Sequence, residues 1–112
     1  MSDFDIKQHA TGPAFEGRLV SGIAPVNIEG ATARFRMRRA PGGATVIDSA
    51  AVIVNGATGD VAYHWGAGDT ATPGDYLAEF DVTLPGGEKI TVPTGGYKTI
   101  TITPAIAGIP TV

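Results

Sequence analysis

The sequence predicts an all-β domain, a sandwich of about seven to nine short strands. Three observations predict it. Apolar side chains recur at every second position in several runs, the period of a half-buried strand. Most of the sixteen Gly and eight Pro fall between those runs, with turns at roughly the 8–12-residue spacing of a sandwich. No window shows sustained helical periodicity, and no internal repeat stands out.

Taken in order, Asp3 to Gln8 alternates polar and apolar residues and predicts a first strand with Phe4 and Ile6 inward. Thr11-Gly12-Pro13 is a turn, and Ala14 to Ser21 a second strand with Phe15 and Leu19 in the core. Gly22 to Gly30 is a connection with a brief apolar touch at Val26 and Ile28. The third strand is the clearest: Ala31, Ala33, Phe35 and Met37 share one face, and Thr32, Arg34, Arg36 and Arg38 the other. Thr45 to Val54 is β-branched and apolar on both faces, either buried on both sides or straddling a bulge. Asn55-Gly56 and Thr58-Gly59-Asp60 supply hairpin turns.

Residues 60–84 are the richest stretch. Val61, Tyr63 and Trp65 alternate inward, Gly66 to Gly74 breaks the chain, and Tyr76, Ala78, Phe80, Val82 and Leu84 resume the alternation. Leu84-Pro85-Gly86-Gly87 turns into a short strand over Lys89–Val92, which Pro93 marks as a sheet edge. Tyr97 to Thr103 is the last strand, with Ile100 and Ile102 inward. The domain is therefore expected to occupy residues 1–103, followed over 104–112 by an apolar, uncharged tail with two Pro.

Composition narrows the function. A 112-residue chain with 43% hydrophobic and 17% charged residues fits one globular domain. With no cysteine, thiolate chemistry, thiolate metal sites and disulfides are excluded. A net charge of −3 argues against general nucleic-acid or anionic-membrane binding, and no run approaches the ~20 apolar residues of a membrane span. The start, Met1-Ser2-Asp3-Phe4-Asp5, has no basic region before an apolar one, so no secretory signal is expected.

Candidate sites are sparse. Arg34, Arg36, Arg38 and Arg39 form the most concentrated charge feature. They read either as a solvated strand face paired with acids such as Glu79 and Asp81, or as a contact surface for a protein partner, since Arg offers planar multi-donor contacts. His9 and His64 have no metal-ligand spacing, and His64 should point away from the face shared by Tyr63 and Trp65. Asp69, Asp75, Glu79 and Asp81 are the densest acids; the loop over 66–75 follows no calcium-loop pattern, and its Asp and Thr more simply close the turn by bonding local backbone. Neither a nucleophile elbow nor a phosphate loop occurs around the serines and glycines, so no catalytic residue, cofactor or metal is expected. Tyr63, Trp65, Tyr76 and Phe80 read as core, although exposed aromatics such as Trp65 or Tyr97 would suit a glycan binder. Ile106, Ile109 and Val112 of the tail either fray or dock as an extended arm on a neighbouring subunit.

The residues so placed include DFDIKQ at 3–8, TGPA at 11–14, GATARFRMR at 30–38, TGDVAYHW at 58–65, GDT at 68–70 and PGDYLAEF at 73–80. LPGG at 84–87, Val92-Pro93 and GYKTI at 96–100 complete them. In this order and spacing the chain resembles, over nearly its full length, the N-terminal domain family of bacteriophage baseplate upper proteins. The resemblance implies an immunoglobulin-like antiparallel sandwich serving as a non-enzymatic structural module of a virion, made in the host cytoplasm. Its partners would be other virion proteins and further copies of itself in a symmetric assembly, with no nucleic acid and no membrane. Partner contacts are expected at Arg34, Arg36, Arg38, Ile106 and Ile109. A tail or baseplate adaptor fits, as does a module decorating the capsid or a fibre, or a binder of host-surface glycans. Longer family members continue into regions that build the baseplate, so that downstream role does not carry over. In antibody-type domains a Cys lies two residues after the corner Tyr; here Ala78 stands there, and packing must hold the core. Pro73-Gly74-Asp75-Tyr76 then reads as a tyrosine corner, with the Tyr76 hydroxyl bonded to backbone a few residues upstream.

Overall fold

A computed structural model describes residues 3–21, 24–92 and 97–106 of the chain. Its strands are β1 (Phe4–Lys7), β2 (Phe15–Arg18), β3 (Val20–Ser21), β4 (Ala24–Pro25), β5 (Thr32–Arg39), β6 (Thr45–Asn55), β7 (Asp60–Tyr63), β8 (Gly74–Thr83), β9 (Lys89–Val92) and β10 (Lys98–Thr103). The described residues contain no helix, and the fold is all-β. One sheet runs in the order β1-β10-β8-β5-β6-β7-β2, with β9 also on β8 and β3-β4 a separate pair. One edge of β8 carries β10 over Gly74–Ala78 and β9 over Phe80–Thr83, while β5 lies along its other edge. The sheet curls until its first and last strands meet, the Phe4 and Phe15 rings lying edge-on with centroids 5.3 Å apart.

β5 follows the sequence closely: Ala33, Phe35 and Met37 are buried, as are Tyr76, Ala78, Phe80 and Val82 of the paired β8. Phe35 is the hub of the core. Its ring stacks on Tyr63 at 4.4 Å and lies 5.4 to 5.7 Å from Phe15, Trp65 and Phe80. Such pairs add about 0.5–1.5 kcal/mol each beyond the area they bury. Tyr76 forms the predicted corner, its hydroxyl donating to the Thr72 carbonyl at 2.7 Å.

Several expectations are corrected. The sheet is not wholly antiparallel: β1 pairs β10 in parallel, Phe4 beside Ile100 through Lys7 beside Thr103. The expected strand over 14–21 is broken at Leu19. That residue leaves the β2 ladder, donates its N–H to the Gly59 carbonyl at 2.9 Å and accepts the Val26 N–H at 3.0 Å. The connection after it contributes Ile28, which is wholly buried, and so does more than touch the core. In β7, Ala62 is buried along with Val61 and Tyr63.

β6 is not buried on both sides. Only Ile47 is enclosed, while Val46, Val52 and Val54 are 46 to 58% exposed. The other expectation, a bulge, is met. β6 pairs β5 up to Ala51 and β7 from Val52 on, with register irregularities at Met37/Arg38 and Ile53/Asn55. The strand belongs to both walls of the curled sheet, and its apolar run follows the bend instead of filling a core.

Candidate functional site

Strand alternation puts Arg34, Arg36 and Arg38 on the outer face of β5, between β6 and β8. Arg34 Nε donates to Asp48 Oδ1 at 2.8 Å and Nη2 to the Asp48 carbonyl at 2.8 Å. Arg36 Nη1 reaches Asp81 Oδ2 at 2.8 Å, and its Nε lies 3.4 Å from Asp48 Oδ1. The ladder sets Glu79 directly opposite Arg36, yet the guanidinium takes the diagonal Asp81. The hydrogen bond from Arg34 holds the Asp48 carboxyl below its ordinary pKa of 3.8; partial desolvation opposes it, and the charges of Arg34 and Arg36 reinforce it. Pairs this exposed add little net stability, because water screens them and ordering two side chains costs entropy.

Arg38 differs from its neighbours. Nη2 donates to the Tyr97 hydroxyl at 3.0 Å and the guanidinium carbon lies 4.8 Å from the Tyr97 ring centroid, while Nε is buried with no hydrogen-bond partner among the described residues. With Met37, Leu77 and Glu79 these groups line a groove of about 110 Å³.

The acids are divided among separate local tasks. Asp69 Oδ2 accepts the Gly66 N–H at 2.7 Å and also the Tyr63 hydroxyl, closing the turn after β7. Burial, then the Asp69 carboxylate, pushes the Tyr63 pKa up to about 12. Asp75 accepts from Thr101 Oγ1 at 2.9 Å, and Asp81 serves Arg36. Among the described residues no group of three or more His, Cys, Asp or Glu could hold a metal ion. His64 is exposed, facing away from Tyr63 as expected. His9 has a left-handed φ of 71° and a buried Nε2 without a partner among the described residues. Trp65 is 4% exposed and its Nε1 donates to the Pro13 carbonyl at 3.1 Å, whereas Tyr97 is 45% exposed.

Of the tail, Ala105 donates its N–H to Gln8 Oε1 at 3.3 Å and Ile106 stands fully in solvent; Ile109 lies outside the described residues.

One feature escaped the sequence. β2 pairs only with β7 and β9 only with β8, so each keeps one free edge among the described residues. Between them opens a cleft of about 510 Å³ lined by apolar Phe15, Leu19, Val26, Phe80, Ile90 and Val92, with Glu16, Arg18 and Lys98 also on its wall. A second hollow of about 230 Å³ shares Phe15, Glu16 and Lys98 with it. Two signals hint at this in the residues: Gly17, which removes a side chain between Phe15 and Leu19, and Pro93, which marks β9 as an edge.

Together these features define an all-β module whose surface arginines are engaged within the chain and whose open strand edges border an apolar cleft. No family model matches the chain, and neither a characterised protein nor a solved structure does.

Proposed function

We propose that the protein is a structural component of a bacteriophage virion, an immunoglobulin-like module that works through protein–protein contacts in a symmetric assembly. A tail or baseplate adaptor is the first placement, and decoration of the capsid or a fibre the alternative. The observation that carries the assembly role is the apolar cleft between β2 and β9, whose outer edges are unpaired among the described residues, since unpaired edges are templates for another chain. The Tyr76 corner, within a motif that carries the phage resemblance, supports the immunoglobulin-like arrangement. Parallel pairing of β1 with β10 makes that arrangement mixed at one edge. Arg34 and Arg36 contribute to contacts only if a partner competes with Asp48 and Asp81, so Arg38 is the better candidate on that face. The test is peptide mass spectrometry of purified particles from the phage carrying the gene, with electron microscopy of a labelled copy. Stoichiometric recovery at a symmetric position is expected; particles free of the protein would overturn the reading.

A glycan-binding role has one observation in its favour, the exposed Tyr97 beside Arg38 and Glu79 around the small groove. Glycan-array binding abolished by Tyr97→Ala would support it. Trp65, enclosed in the core, plays no part.

A further inference from the structure

We infer that the β2/β9 cleft is the acceptor for the C-terminal segment of a second copy, so that the protein assembles head to tail. This rests on the structural-assembly reading and names the contact that reading lacks. Three observations meet here. The first is the acceptor: an apolar hollow of about 510 Å³ whose Val26, Ile90 and Val92 are only half-buried, bordered by two strands that each pair on one side only among the described residues. The second is the donor. Residues 104–112 carry no charge, and Ile106, Ile109 and Val112 recur every third position between and beyond Pro104 and Pro110. Three residues per turn is the period of an extended polyproline helix, which would present all three side chains to one wall.

The third is reach. Ala105 is held at Gln8, beside the Thr103 end of β10, whereas the β10 residue on the cleft wall is Lys98, at the strand's other end. From Thr103 back to Lys98 the strand spans about 17 Å. Ile109 is four residues beyond Ala105, about 14 Å at full extension. Along this line a chain's own Ile109 backbone falls short of its own Lys98, whereas a neighbour's is under no such limit. Donor and acceptor at opposite ends make a heterologous contact, which closes into a ring or continues as a filament.

The test uses the full-length chain and two variants, Ile109→Asp to disable the donor and Ile90→Asp to disable the acceptor, each checked for folding by circular dichroism. In sedimentation velocity the unaltered protein should grow beyond dimers with concentration. Each variant alone should lose at least tenfold in association, and an equal mixture should recover one contact and stop at dimers. As a second measurement, Ile90→Cys with Ile109→Cys in the otherwise cysteine-free chain should give a ladder of intermolecular disulfides on oxidation. This holds even if Ile90→Asp proves unstable. A protein that stays monomeric, or an Ile109→Asp variant that associates as well as the parent, overturns the inference. The latter would assign self-association to β2-edge pairing or to the exposed valines of β6. Particles that incorporate Ile109→Asp normally would sink this contact and leave the virion role standing. Head-to-tail assembly by a protein missing from particles would do the reverse.

Discussion

The Arg39 guanidinium and the Tyr76 hydroxyl form a single hydrogen-bonded unit: Arg39 Nη1 donates to the phenol oxygen at 3.0 Å, and the phenol donates onward to the Thr72 carbonyl at 2.7 Å. Arg39 lies at the end of β5 and Tyr76 near the start of β8, directly opposite in the ladder. The corner thus ties the turn before β8 to the central strand pair. Tyr76→Phe removes both bonds and keeps the ring, and should cost about 1–2 kcal/mol. Urea unfolding should show a lower midpoint with an unchanged slope; an unchanged midpoint would mean the corner contributes nothing.

Gly59 stands in the left-handed region with φ 75°, and a Cβ there would lie 2.6 Å from the Leu19 carbonyl oxygen and 2.8 Å from that of Val26. These are backbone atoms in the hydrogen-bonded break after β2, so they cannot swing aside. Gly59→Ala should destabilise by about 1–3 kcal/mol, read as a fall in thermal midpoint. Gly86, around which a Cβ would meet nothing within 4 Å, is the control whose alanine variant should stay near the parent.

Tyr63 should govern a portion of the alkaline limb. Its pKa is raised from 10.0 to about 12, so between those values the unfolded chain has released a proton that the folded chain keeps. Stability present below pH 10 is therefore lost as pH rises toward 12. Tyr63→Phe should flatten this decline, and absorbance titration of the folded protein should lose a phenol that ionises near pH 12. A decline of unchanged steepness would count against a raised Tyr63 pKa in the folded state.

Asp48 works with the opposite sign. Its depressed pKa means that near pH 4 the unfolded state binds more protons than the folded one. The contribution is present above about 3.8 and lost as pH falls through the folded value. Urea midpoints of the parent and Asp48→Asn should differ at pH 7 and converge on acidification, whereas parallel curves would show that the Arg34 and Arg36 contacts carry no linkage.

The all-β class and most of the core are legible because alternation is local: Ala33, Phe35 and Met37 announce an inward face whichever strands flank β5. Direction is not local. Nothing in the residues at 3–8 says that β1 will lie parallel to a strand almost a hundred positions away. β6 misleads for a related reason, since a β-branched run encodes extended backbone, and only the bend between two walls decides that Val46, Val52 and Val54 face outward. The arginines read as a stripe that acids could neutralise, and Asp81 is one of the two acids the spacing suggests. Asp48 escapes because it sits on the other flanking strand, and Glu79 misleads because direct opposition hides the diagonal reach of Arg. The cleft is the least legible feature, being bounded by strands that are neighbours neither in sequence nor in the sheet.

The parallel pairing of β1 with β10 has a mechanical consequence. Tension applied between the two ends of the domain pulls β1 toward its beginning and β10 toward its end, along their common axis. The pair is loaded in shear, and the rungs from Phe4–Ile100 to Lys7–Thr103 share the force together. An antiparallel terminal pair pulled the same way would unzip rung after rung. Forced unfolding is governed by the unfolding rate, and these four rungs are where a load on the two ends is first borne.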